Sequence, residues 1–118
     1  MDLVPTLLHA VGLKPTADMQ GVNLLDAAAV ARRQAIFGEC FTHDAVDIDD
    51  PASSLRYRWS IAGDWKLIVP HRLNVPQGEI ELYNLAADPN EEKNLARQEQ
   101  SKVEVLRKQL DAWWTPAK

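Results

Sequence analysis

The sequence has one cysteine, Cys40, in 118 residues, which excludes an internal disulfide and any multi-cysteine zinc site. It has no apolar run near the roughly 20 residues needed to span a bilayer. Positive charge is also in short supply. Thirteen Lys and Arg face 17 Asp and Glu, a formal charge of -4, and no basic patch is dense enough to neutralise a phosphate backbone. Nucleic acid and membrane are therefore excluded as partners. Met1 is followed by Asp2 rather than by basic residues, so the start does not read as a signal peptide. No internal repeat or low-complexity segment is present. What remains is ordinary for a globular domain, with 46% hydrophobic and 25% charged residues. A chain this short fits one small domain that buries roughly two-thirds of its unfolded surface.

The pattern along the chain predicts an α+β fold. Asp2 to Gly12 reads as a short helix, with Asp2 as N-cap, Pro5 in the first turn and Gly12 as the stop. Leu3, Leu7, Leu8 and Val11 form one apolar stripe on it. Ile36 to Phe41 starts the first strand, and an acidic loop runs from Asp44 to Pro51. Leu55 to Ala62 alternates strictly: Leu55, Tyr57, Trp59 and Ile61 take one face, Arg56, Arg58 and Ser60 the other. Gly63-Asp64 suits a type II′ hairpin turn. The return strand places Trp65, Leu67 and Val69 on one face, and Glu79 to Leu85 supplies the next strand. A last helix carries the stripe Val103, Leu106, Leu110 and Trp113, opens on a Ser101/Glu104 capping box and ends by Pro116. The expectation is a small antiparallel sheet of three to four strands, covered by the C-terminal helix and preceded by the short N-terminal helix. At least three of Tyr57, Trp59, Trp65, Trp113 and Trp114 are expected between helix and sheet.

The stretch Glu81-Leu82-Tyr83-Asn84-Leu85-Ala86-Ala87-Asp88-Pro89-Asn90-Glu91-Glu92-Lys93-Asn94-Leu95-Ala96 begins as a strand and breaks at a proline turn. It resembles the C-terminal signature of formylglycine-type sulfatases: Glu-Leu-Tyr-Asp-Leu, a spacer, Asp-Pro, an acidic pair and Asn-Leu-Ala, with Asn84 in place of the usual Asp. Two more segments are similar to the same arylsulfatase-like family of the alkaline-phosphatase-like superfamily. One is Asp2-Leu3-Val4-Pro5-Thr6-Leu7-Leu8, followed by Gly12-Leu13 and Pro15. The other is Gly21-Val22-Asn23-Leu24-Leu25, with Asn23 in a serine position. The three occur in the family's order between Asp2 and Trp113. The resemblance implies a C-terminal subdomain over 35–118, and a segment over 1–34 from the edge of a catalytic domain otherwise absent.

That resemblance implies a sulfuric ester hydrolase as parent, with calcium and formylglycine as its cofactors, a periplasmic or secreted setting, and the N-terminal catalytic domain as the partner of this piece. The family's Cys/Ser-x-Pro-x-Arg nucleophile motif and its aspartate pairs for calcium are missing here, so no catalytic or metal-binding residue is assigned. Cys40, within Gly38-Glu39-Cys40-Phe41-Thr42, reads as a packed and inert thiol. Asp44, Asp47, Asp49 and Asp50 lack the glycine and terminal glutamate of a calcium loop and read as a solvated acidic loop. His43, His71 and Arg72 stand in loops and are the candidates for substrate-subsite contacts, since Arg pairs oxyanions bidentately; plain surface polarity is the other reading. The aromatic residues could instead be a sugar-stacking platform, but their alternation fits a core better.

Two functions follow. The first is the C-terminal part of a sulfatase, completing its fold and flanking the substrate cleft. The alternative is a free-standing interaction module without enzymatic role, because Leu3, Leu7, Leu8 and Val11 need a surface to cover them. A homo-oligomer through that N-terminal helix is the expected cover when the chain stands alone.

Overall fold

A computed structural model of the protein describes residues 1–116. The elements are helix α1 (Leu3–Ala10), helix α2 (Ala27–Arg32), strand β1 (Ile36–Phe41), a 3-10 turn at Pro51–Ser54, strands β2 (Leu55–Ala62), β3 (Trp65–Pro70) and β4 (Glu81–Asn84), and helix α3 (Gln100–Trp113). They fall into two compact units, Met1–Gln34 and the residues from Ala35 onward. Among the described residues no helix is long and apolar enough to cross a membrane.

In the first unit, Gly12 ends α1 with φ 77°, a left-handed conformation that glycine adopts without a Cβ penalty. Asp2 does not cap α1. Its own backbone is already helical (φ −82°, ψ −20°) and its carboxylate turns away to bind the far end of the unit. It accepts from the Val22 N–H at 3.0 Å and from Arg33 Nη1 and Nη2 at 2.8 and 2.6 Å. Thr6 helps from the next turn, its hydroxyl accepting from the Leu24 N–H at 2.9 Å. Helix α2 was not legible in the sequence; Asp26 caps it, accepting from the N–H groups of Ala28 and Ala29, both at 3.0 Å. Leu3, Leu7 and Val11 of the α1 stripe are 70%, 64% and 70% exposed within this structure.

The second unit is a four-stranded antiparallel sheet in the order β1-β2-β3-β4, with α3 against it. The α+β architecture and the four strands agree with the sequence pattern. At the β2–β3 hairpin, Ala62 faces Trp65 across a two-residue loop whose first residue, Gly63, has φ 56°. A positive φ at the first loop position and not the second is the II′ arrangement expected of Gly-Asp. The core is Leu67, Val69, Leu82, Leu106 and Leu110, flanked by Phe37, Trp65, Val103 and Trp113.

The register corrects the assignment of faces. Ser60 pairs with Leu67 and Arg58 with Val69, so the polar residues of β2 share the covered face with the apolar residues of β3. Tyr57, Trp59 and Ile61 point to the other face, with Lys66 and Ile68. An even pleat with a two-residue turn fixes this: Trp65 pairs with Ala62, not with Ile61. Arg58 is tolerated inside because α3 supplies its partners. Its Nη2 donates to Asp111 Oδ1 at 2.8 Å, and its Nη1 donates to the Trp114 carbonyl.

None of the five expected aromatics is fully buried, and only Trp65 and Trp113 belong to the helix–sheet core. Trp113 stacks on Phe37 with ring centroids 5.4 Å apart. The capping box is also not formed. Helix α3 begins at Gln100 with Glu99 as N-cap, so Ser101 already lies inside the first turn, where its side chain cannot play the cap role.

Candidate functional site

The antiparallel order brings the end of β1, the start of β2 and the end of β3 to one end of the sheet, since Phe41 pairs with Leu55 and Tyr57 with Pro70. The loops that follow β1 and β3 therefore emerge side by side. His43 stands in the first, His71 and Arg72 in the second. This end of the sheet is the candidate site.

Its loops are held by backbone and amide hydrogen bonds. The Thr42 N–H donates to the Ser54 carbonyl at 2.8 Å, and the His71 N–H to the Arg56 carbonyl at 2.8 Å. Asn74 ties the two loops together, its Nδ2 donating to the carbonyls of Ala52 (2.9 Å) and Leu55 (2.7 Å). Asn74 does not stand out in the sequence as a site residue. Its signal was a lone amide between Pro70 and Pro76, where a side chain must replace the ladder bonds that a loop lacks. Arg56 is exposed at the same sheet end, its guanidinium 5.7 Å from the Tyr57 ring centre.

The three candidate side chains differ in restraint. His43 is fully exposed, its Nδ1 3.2 Å from Asp44 Oδ1. His71 is partly buried, while Arg72 is exposed and donates from Nη1 to the Pro76 carbonyl at 3.2 Å. That bond curls Arg72 onto its own loop and leaves the rest of its guanidinium fork for an anion.

Two carboxylates of the acidic loop are taken up by its own backbone. Asp47 accepts from the Asp49 N–H at 2.9 Å and Asp50 from the Ala52 N–H at 3.1 Å, capping the 3-10 turn. The implied calcium and formylglycine do not fit this chain. Among the described residues no three His, Cys, Asp or Glu side chains are grouped to hold a metal, and Cys40 is not followed by Pro and Arg. Cys40 itself departs from expectation. It is exposed, because β1 is an edge strand and Cys40 points to the face away from α3.

That face holds a shallow cavity of about 390 Å³ lined by Cys40, Tyr57, Trp59, Ile61, Lys66, Ile68 and Glu81. Its charged groups are already engaged. Lys66 Nζ lies 2.7 and 2.8 Å from the Glu91 carboxylate oxygens, and the Tyr83 hydroxyl donates to Glu81 Oε2 at 2.7 Å. Burial first, and the Glu81 carboxylate second, push the Tyr83 phenol up to about 12.

The signature from Glu81 to Ala96 builds the edge of the unit. Asn84 Oδ1 accepts from the N–H groups of Ala86 (3.1 Å) and Ala87 (3.2 Å), a task a carboxylate oxygen performs equally well, so the Asn-for-Asp exchange costs no bond. Asp88 accepts from the N–H groups of Glu92 (3.1 Å) and Lys93 (2.9 Å), and these bonds hold its carboxyl below the usual carboxylate range. Asn94 accepts from the Leu82 N–H at 3.1 Å and donates to the Ile80 carbonyl at 3.1 Å, extending the β4 edge. Asn84, Asp88 and Asn94 are thus backbone anchors.

No protein-family model and no curated protein sequence matches the chain. Solved structures do. A Bacteroides thetaiotaomicron protein assigned as a sulfatase superposes with a TM-score of 0.70 at 24% identity, over 95% of this chain and 23% of its own. The Bacteroides fragilis protein yidJ, also assigned as a sulfatase, gives 0.68 at 21% identity over 95% and 23%. BT4656, solved with its substrate D-glucosamine-2-N,6-O-disulfate, gives 0.68 at 23% identity over 94% and 22%. The chain therefore spans about a quarter of the length of the structures it matches, and it has the fold of that quarter of the sulfatases.

Proposed function

We propose that this chain is the C-terminal part of a sulfuric ester hydrolase, completing its fold and lending residues to the rim of the substrate cleft. The observation that supports this most is the match of nearly the whole chain to about a quarter of proteins assigned as sulfatases. In this reading the parent's remaining sequence carries the formylglycine precursor and the calcium ligands, and the sheet end with His43, His71 and Arg72 faces the sulfated substrate. Arg72 is the strongest of the three for an oxyanion, by virtue of its open fork.

The test compares the 118-residue chain with the longer natural polypeptide on a chromogenic aryl sulfate in the presence of calcium. The chain alone shows no turnover above a heat-killed control, because groups that only position a substrate cannot supply a covalent nucleophile. The longer polypeptide turns over, and Arg72→Ala within it raises KM about tenfold, the worth of one charge-assisted hydrogen bond. A longer polypeptide without a Cys/Ser-x-Pro-x-Arg motif, or turnover by the short chain, refutes the reading.

A further inference from the structure

The sheet of the second unit is apolar on both faces but has a helix on one. Helix α3 covers Leu67, Val69 and Leu82, whereas Tyr57, Trp59, Ile61 and Ile68 lie on the opposite face and stay half-exposed. A sheet face of this composition is one that a second layer commonly covers. The floor is flat as well as apolar. The Trp59 ring lies across Gly38 of β1 so closely that a Cβ there would stand 2.3 Å from a ring carbon, so no side chain rises between them. The charged groups at its border, Lys66 and Glu81, are already bonded to Glu91 and the Tyr83 hydroxyl, which leaves apolar and aromatic area as the main binding chemistry.

We infer that the Cys40–Tyr57–Trp59–Ile68 face is the docking surface for the larger, remaining body of the same polypeptide. This rests on the sulfatase reading above, and the length relation commits it to that occupant. Each matching structure holds this fold within a chain about four times as long, since the match covers 94–95% of this chain and 22–23% of theirs. In such a protein the open face becomes an interior boundary, with Trp59 and Tyr57 as its aromatic anchors.

Cys40 reports on the cover directly, because it is exposed, lines this face and is the sequence's single cysteine. The experiment is alkylation by iodoacetamide under native conditions, followed by peptide-resolved mass spectrometry, on the short chain and on the longer natural polypeptide. In the short chain Cys40 reacts within about tenfold of the urea-unfolded rate, as an uncovered thiol does. In the longer polypeptide it reacts at least a hundredfold more slowly, in line with the rarity of local opening in a packed interior. A longer polypeptide that hydrolyses sulfate esters but alkylates Cys40 at the short-chain rate overturns the docking inference and leaves the sulfatase reading standing. The absence of any longer natural product overturns both. Protection of Cys40 in the short chain that grows with its concentration assigns the face to a second copy and overturns the inference as stated.

Discussion

The buried guanidinium of Arg58 makes the two ends of one ion pair unequal, and that inequality is measurable. The Arg58 side chain is 9% exposed, whereas Asp111 is 39% exposed and has Arg107 Nε 3.8 Å away as a second cation. Removing Asp111 strands a charge that water cannot reach, with the Trp114 carbonyl as the partner left to it. Loss of one member of a buried pair costs about 3–5 kcal/mol for this reason. Removing Arg58 strands a carboxylate that water can reach. Arg58→Met keeps most of the volume against Val69 and leaves the Trp114 carbonyl to find a new partner, so about 1–2 kcal/mol is expected. Asp111→Ala should therefore cost roughly twice as much as Arg58→Met, and should add less than about 0.5 kcal/mol once Arg58→Met is present. Against a stability of about 5–15 kcal/mol both effects are resolvable by urea denaturation of the whole chain at pH 7. Arg58→Met costing as much as Asp111→Ala would show that the pair is solvated and that β2 does not turn its polar face to α3.

Ser60 is fully buried and its hydroxyl has no hydrogen-bond partner among the described residues, so Ser60→Ala should leave stability unchanged or raise it by up to about 1 kcal/mol; a loss above that in the same assay would reveal a bond to the hydroxyl. Asp2 is held down to about 2 from 3.8, first by the Arg33 hydrogen bonds and then by the Val22 N–H. A carboxylate with a depressed pKa stabilises above its unfolded value and loses that contribution as pH falls through the folded one. The Val22 amide resonance should accordingly titrate with a midpoint near pH 2 in the native chain and lose that step in Asp2→Asn, the pH window of loss being about 4 to 2. A midpoint near 4 would show that the Arg33 pair does not form in solution.

Elements that announce themselves by periodicity or turn chemistry were legible. The hairpin at Gly63-Asp64 follows from one glycine able to take positive φ, and the α3 stripe from spacing alone. What failed were assignments of single side chains whose surroundings or element boundaries the local pattern does not set. Asp2 has the composition of a cap, yet two donors 20 and 31 residues away outbid its own helix. The Ser101/Glu104 spacing was right, but α3 starts at Gln100, so the box fell within the helix. Cys40 has the composition of a packed thiol, and its place on an edge strand exposes it. At the candidate site, His43, His71 and Arg72 were legible as loop residues, but their convergence at one sheet end needed the strand order, and Asn74 needed knowledge of the carbonyls it satisfies.

The reversed face of β2 carries the most information about function, because its error was reasonable. Alternation assigns the apolar residues of a half-buried strand to the interior, and in β2 those are Tyr57, Trp59 and Ile61. The next strand contradicts that assumption within its own sequence. Leu67-Ile68-Val69 is a continuous apolar run, the pattern of a strand covered on both sides. With Leu67 and Val69 against α3, Ile68 must face outward beside Trp59, its cross-strand partner. The two strands together present apolar side chains to both faces. Arg58 and Ser60 are then the price of inserting α3 on the one side, where Asp111 and a helix-end carbonyl receive the guanidinium. On the other side no polar residue of β2 interrupts Tyr57, Trp59 and Ile61. The sheet thus carries an apolar surface on each side, one beneath α3 and one left half-exposed.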